Sequence, residues 1–160
     1  MHWKEAEAVF NRCSRKFYVI AMGVTGNRRL AEDAVHEAIL AVVSSGASPR
    51  NLEAYLCRSV RNEALRLAAD RQRFVADASE FLARAADTSR AEPEEAAFVD
   101  QVGEAMEALT SDQRETIVMH VFGGMTFREI AEIRETPLST VTSWYRRGIA
   151  SLRTGVLEDG

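Results

Sequence analysis

The 160-residue sequence predicts an all-α fold: two small helical domains joined by an acidic linker, the C-terminal one a helix-turn-helix. Apolar residues recur at helical spacing along nearly the whole chain, and neither β-alternation nor an internal repeat is present. The stretch Asp87 to Glu95, DTSRAEPEE, has the Pro, Ser, Thr and acid content of a linker. Thr126 to Arg153 reads as a capped helix, a break and a second helix. The expected boundaries are 1–75 for the first domain, 76–96 for the linker and 97–160 for the second.

In chain order, Ala6, Val9, Phe10, Cys13, Phe17 and Ile20 form one apolar stripe on a helix ending near Gly23 and Gly26. Asn27 is suited to cap a second helix, Arg28 to about Ser44, with Leu30, Ala34, Val35, Ala38, Ile39, Val42 and Val43 on a broad apolar side. Glu32, Asp33 and Glu37 gather near its start, where acids suit the helix dipole. After the loop SSGASP, Ser48 as cap and Pro49 at the first helical position predict a third helix from Arg50 to about Arg73. It buries Leu52, Leu56, Val60, Ala64 and Leu67. Its other side aligns Tyr55, Arg58, Asn62, Arg66 and Arg73, with Arg61 on the flank. Stacking surface, cations and an amide along one face are what an unpaired nucleic-acid strand requires.

Helix is expected to continue from Phe74 to Ala86 and to resume beyond Pro93 with Phe98, Val102, Ala105, Met106 and Leu109 inward. Thr110 to Gln113 is a capping-box pattern, opening a helix with Ile117, Val118, Val121 and Phe122 before Gly123-Gly124. Thr126 and Glu129 form another, and Phe127, Ile130, Ala131 and Ile133 follow until Pro137 stops the run. Stepping about 100° per residue from Val141 gathers Leu138, Tyr145, Ile149 and Leu152 into one inward arc. Opposite stand Ser139, Thr140, Ser143, Arg146 and Arg147. Leu138 to Arg153 contains three Arg and no Asp or Glu, the composition of a helix that presents donors to phosphates and base edges in a major groove.

The net charge of −4 is unevenly placed: +4 over residues 1–73, −8 over 74–112 and zero over 113–160. A domain that grips DNA alone usually has a strongly basic footprint, so either weak unaided binding or a partner that supplies most phosphate contacts is expected. The longest apolar stretch, Ala38 to Val43, is far too short to span a bilayer, and MHWKEAE has acids where a signal peptide needs apolar residues. A cytoplasmic protein without membrane insertion is expected. Cys13 and Cys57 lie on separate apolar-patterned stretches and read as reduced core residues, and His2, His36 and His120 are scattered. No metal site, cofactor or catalytic constellation is expected.

Together these residues resemble the extracytoplasmic-function sigma factors of bacterial RNA polymerase. LAEDAVHEAILAVV is similar to the family's region two helix that docks on the polymerase clamp, and AYLCRSVRNEALRLAADRQR to the helix that melts and reads the minus-ten element. ALTSDQRETIVMHVFGGMTFREIAEI and TPLSTVTSWYRRGIASLR are similar to region four, which reads the minus-thirty-five element. The resemblance implies a subunit that binds core polymerase through the clamp of the β′ subunit and directs promoter-specific initiation, with no catalysis of its own and an anti-sigma partner. It places Glu32, Asp33, His36 and Glu37 on polymerase. It places Tyr55, Arg58, Arg61, Asn62 and Arg66 at the melted strand, and Ser139, Thr140, Thr142, Ser143, Arg146 and Arg147 at the upstream element. Three positions depart from the family pattern: Glu135 replaces a common turn glycine, Thr142 a common Lys or Arg, and Trp144 a common Arg. The alternatives are a sigma-like mimic that binds an anti-sigma partner rather than promoter DNA, and a free-standing helix-turn-helix regulator.

Overall fold

The computed structural model describes residues 3–71 and 105–159, and every regular element among them is helical. Helices α1 (Trp3–Thr25), α2 (Arg28–Ser45) and α3 (Leu52–Arg71) make the N-terminal unit. The C-terminal unit has a helical segment at 105–107, then α4 (Ser111–Ile117), which runs on as a π-helical turn at Val118–Phe122. Helices α5 (Phe127–Arg134) and α6 (Leu138–Asp159) follow. The expected helix over Phe74 to Ala86, the acidic linker, Arg73 and the start of the helix beyond Pro93 lie outside the described residues.

Short polar side chains set the helix ends. The Asn27 side chain accepts from the Leu30 N–H at 3.0 Å, and Gly46 closes α2 at φ 70°, a left-handed conformation glycine adopts without steric cost. Asn51, not Ser48, caps α3: its Oδ1 accepts from the Ala54 N–H at 3.1 Å, so the helix starts at Leu52 rather than Arg50. Thr110 with Gln113 and Thr126 with Glu129 form both capping boxes as expected.

Helix α1 is the shared element. Of its expected stripe Ala6, Val9, Cys13, Phe17 and Ile20 are buried, Phe17 and Ile20 completely, against α2 and α3, whereas Phe10 is half-buried at the edge. Val19, Ala21, Met22 and Gly23 are buried as well, so the last turns of α1 are covered on more than one side. The second side meets the π-turn: a Cβ on Gly23 would lie 3.4 Å from Val118 Cβ, and one on Gly123 3.2 Å from Val19 Cγ1. The two units therefore share one apolar core running from Val9 to Val141.

The π-turn also corrects the inward set of this segment. Its wider coil turns Met119 fully inward and leaves Val121, expected inside, 51% exposed. Leu138 is a second correction. It stands at the first turn of α6, past the end of α5, and is 40% exposed.

Charge also joins the units. Lys16 Nζ of α1 donates to Glu53 Oε1 of α3 at 2.8 Å and to Glu129 Oε2 of α5 at 3.2 Å. Burial alone would lower the Lys16 pKa, but the two carboxylates outweigh it and raise it above the usual lysine value. Glu53 is lowered, chiefly by its hydrogen bond to Lys16, and Glu129 is lowered first by the Thr126 backbone N–H and then by Lys16.

A depressed carboxylate contributes stability that is complete above its unfolded value and is lost as pH falls through its folded value. Lys16 stays charged throughout that range. The melting temperature should therefore drop on acidification below the ordinary glutamate value of 4.5, and Lys16→Met should make that drop shallower without abolishing it. The Thr126 bond to Glu129 supplies the remainder. Melting curves from neutral pH into this range test the bridge, and an equally steep drop in Lys16→Met would show that it contributes nothing.

Candidate nucleic-acid interface

The turn between α5 and α6 is built by a residue that pays for its position. Glu135 closes α5 at φ 50° and ψ 47°, in the left-handed region, where a side chain costs about 1–2 kcal/mol that glycine avoids. Its N–H donates to Glu132, and the Thr136 N–H reaches Ala131 O at 3.0 Å, so the Ala131 and Glu132 carbonyls in the last turn of α5 are satisfied. The Pro137 carbonyl then accepts from Thr140 and Val141 at the start of α6.

Four contacts fix the rotation of α6. Val141 is fully buried. Gly148 lies against α4 so closely that a Cβ there would be 2.6 Å from Ile117 Cδ1. Tyr145 packs on Phe127 and His120 at ring-centroid distances of 5.0 and 4.9 Å, and the Trp144 ring stacks on the Arg134 guanidinium at 4.4 Å. Ser139, Arg146, Arg147 and Arg153 are left exposed, with Thr140, Thr142 and Ser143 half-buried among them. Among the described residues neither Arg146 nor Arg147 enters an ion pair. The Thr142 hydroxyl donates back to Ser139 O at 3.0 Å, which spends its proton within the helix.

On α3 the expected strand-facing residues divide. Asn62 and Arg66 are exposed, although Arg66 is already bonded to Glu63 at 2.9 and 3.1 Å. Arg58 is half-buried, and Tyr55 packs at the edge of the core rather than standing free. Arg61 turns toward the C-terminal unit. Its Nε and Nη2 meet the two carboxylate oxygens of Glu115 at 3.1 and 3.2 Å.

Glu32, Asp33, His36 and Glu37 all point outward on α2. His36 also lines an apolar groove of about 350 Å³ with Trp3, Phe10, Ile39 and Leu40, and Trp3 and Leu40 are largely exposed. An exposed apolar patch edged by acids has the make-up of a protein-docking surface.

Sequence reasoning missed the charged group beneath the interface. The Glu115 side chain, 4% exposed, also accepts from Arg134 Nη2 at 2.9 Å, and the Arg134 side chain, 5% exposed, is held by the Asp112 carboxylate and carbonyl. The available signal was Glu115 itself, followed directly by Thr116, Ile117, Val118 and Met119, all buried. Cys13 and Cys57 are free and buried as expected; burial pushes the Cys57 thiol up to about 12. Among the described residues no cluster suits a metal ion, and no helix is long and apolar enough to cross a membrane.

The chain matches two family models in order, Sigma-70 region 2 over residues 9–74 and Sigma-70, region 4 over residues 100–152. Among solved structures it is similar to the sigma factor RpoE from Bartonella quintana, determined in complex with the anti-sigma factor NepR. The identity is 20%, the TM-score is 0.63, and the match covers 98% of this chain and 97% of the other. At that identity the likeness speaks for the fold.

The strained turn gives a direct test of the α5–α6 geometry. Glu135→Gly should raise stability by about 1 kcal/mol, the left-handed cost less part of glycine's extra unfolded entropy. Thermal melts read this gain. An unchanged or lower melting temperature would mean that the Glu135 side chain contributes contacts exceeding its backbone cost.

Proposed function

The chain belongs to the sigma-70 family, and from that membership we propose that it acts as an extracytoplasmic-function sigma factor and which of its surfaces meet polymerase and which meet the promoter. As such it binds core RNA polymerase and directs promoter-specific initiation. The observation that carries the assignment of surfaces is the anion-free face of α6. It joins exposed Arg146 and Arg147 to hydroxyl side chains on a helix whose opposite side is locked to α4 and α5. Ser139, Thr140, Ser143, Arg146 and Arg147 enter the major groove of the upstream element, where Arg serves guanine edges and phosphates. Thr142, with its hydroxyl turned to the backbone, contributes through its methyl group and shape.

In the N-terminal unit, Asn62 and Arg66 with Arg58 and Tyr55 face the melted strand, and Arg61 joins them once it is released from Glu115. Glu32, Asp33, His36 and Glu37, with the Trp3–Leu40 groove beside them, dock on polymerase. This places the protein's action with polymerase in the bacterial cytoplasm and requires no catalytic group of its own. The structural relative is bound to an anti-sigma factor. We extend an anti-sigma partner to this chain as well, and the units act as region 2 over 1–75 and region 4 over 97–160.

Run-off transcription with core polymerase and a promoter library tests the reading: initiation should be confined to a restricted promoter set. Without polymerase the protein should bind duplex DNA weakly and with steep salt dependence. Tight, sequence-specific binding by the protein alone would identify a free-standing regulator instead.

The α6 assignment separates two neighbours. Arg147→Ala should weaken promoter binding by about 1–3 kcal/mol and leave the melting temperature unchanged. Tyr145→Ala removes a ring from the Phe127–His120 stack and should cost about 2–4 kcal/mol of stability, at or below the fully buried aromatic range because Tyr145 is half-buried. A melting loss in Arg147→Ala, or a folded Tyr145→Ala that fails to bind, would require the face to be reassigned. On α2, Asp33→Ala with Glu37→Ala should weaken polymerase association at unchanged stability. Normal association would remove these acids from the docking surface.

A further inference from the structure

The groove between α1 and α2 extends beyond the part described above. Its first part, of about 350 Å³, has Trp3, Glu7 and Leu40 at its far end, and a second part, of about 370 Å³, has Arg15, Tyr18 and Glu32. The two share Phe10 and His36, so they form one continuous trough along α1. Trp3 and Leu40 are each 56% exposed, more than any other large apolar side chain among the described residues. Apolar surface of this extent marks a place where another molecule docks.

The trough is matched to itself. From α1 it takes positions 3, 6, 7, 10, 11, 14, 15 and 18, a set that reads the same in reverse about the midpoint between Phe10 and Asn11. An antiparallel copy of α1 laid along it therefore meets groove position with groove position over about 22 Å. Any regular stripe reverses onto itself in this way, and the side chains decide whether the match is favourable. Here Trp3 comes level with Tyr18 of the second copy, an aromatic pair at each end. Phe10 and Asn11 of both copies meet at the axis. Glu7 comes level with Ser14 and one residue from Arg15, within reach of its guanidinium, and the two-fold makes this ion pair twice. A basic partner helix would answer Glu7 and Glu32 but bring its cations against Arg15. A second copy offers cation to acid and acid to cation.

We propose that the α1–α2 trough is where a second copy of this chain docks, as a two-fold antiparallel pair of α1 helices in which Trp3 of each copy fills the crevice beside Tyr18 of the other. A two-fold contact uses the same patch on both chains, so it closes at two and builds no larger assembly. One helix-length trough per chain is small beside the interfaces of permanent dimers, and the pair accordingly forms and dissociates with concentration. The inference stands on the trough alone and not on the surfaces assigned above to polymerase and promoter.

Sedimentation of the full chain across micromolar concentrations should show a mass that rises from one chain toward two. Glu7→Arg and Arg15→Glu, both at exposed positions, set like charges against each other twice across the axis, and each should weaken association about tenfold or more. An equimolar mixture of the two variants should recover it, because each chain then supplies the charge that the other has lost. Asn11→Cys should yield a disulfide-linked dimer on mild oxidation, since position 11 lies beside its own copy at the axis and the native Cys13 and Cys57 are buried. A wild-type chain that stays single at every concentration overturns the proposal. So do charge variants that associate as wild type does, a mixture that stays dissociated, or an Asn11→Cys chain that does not cross-link. Circular dichroism confirms that each variant is helical, and if a charge variant does not fold, the cross-link decides. No polymerase or DNA is present in these measurements, so a failed promoter assignment would leave their outcome unchanged.

Discussion

The buried carboxylate of Glu115 is the constraint on which the arrangement turns. A carboxylate removed from water is tolerated only with partners for its lone pairs, and here two guanidiniums from two other helices supply them. Arg134 is in turn covered by Trp144 of α6. The angle of α6 is thus tied, through one cation, to the carboxylate that also holds the N-terminal unit. The departure of Trp144 from a common Arg acquires a physical reason: at this position the side chain turns inward as a lid on a buried cation, and a second guanidinium in its place would face Arg134.

The helices, both capping boxes and most inward residues were legible because each rests on local rules. Thr126 and Glu129 satisfy N–H groups within four residues of themselves, and the Val141–Tyr145–Ile149 arc needs only the helical repeat. Long-range pairing was not legible. Periodicity gave one stripe on α1, whereas Val19 and Gly23 serve a second neighbour about a hundred residues away. Arg61 read as a free cation because its partner, Glu115, is 54 positions distant. The π-turn escaped for another reason: one wider turn shifts which residues point inward, and nothing in VMHVF announces it, so Val121 was placed inside and Met119 was not.

The charge balance of the C-terminal unit takes on a sharper meaning once burial is known. Residues 113–160 contain six Arg and six acids, which already makes a weak electrostatic footprint. Arg114 is buried, and Arg134 is spent on Glu115 and Asp112, so two of the six are withdrawn from any phosphate. Arg128, Arg146, Arg147 and Arg153 remain exposed, and only the last three lie on α6. Salt-dependent affinity scales with the number of phosphates neutralised, so the small number of exposed cations bounds the electrostatic grip this unit can provide.

That economy and the closed arrangement point the same way. A subunit with a strong phosphate grip of its own would be drawn to DNA throughout the chromosome and would compete with itself for promoters. Here the cations that would create such a grip are turned inward: Arg134 under Trp144, Arg61 onto Glu115, Lys16 between Glu53 and Glu129. Each performs structural work in the free chain, and two of the three hold the units together. In the C-terminal unit that leaves Arg128, Arg146, Arg147 and Arg153 as the exposed cations among the described residues, a small footprint for a unit that would hold DNA by itself.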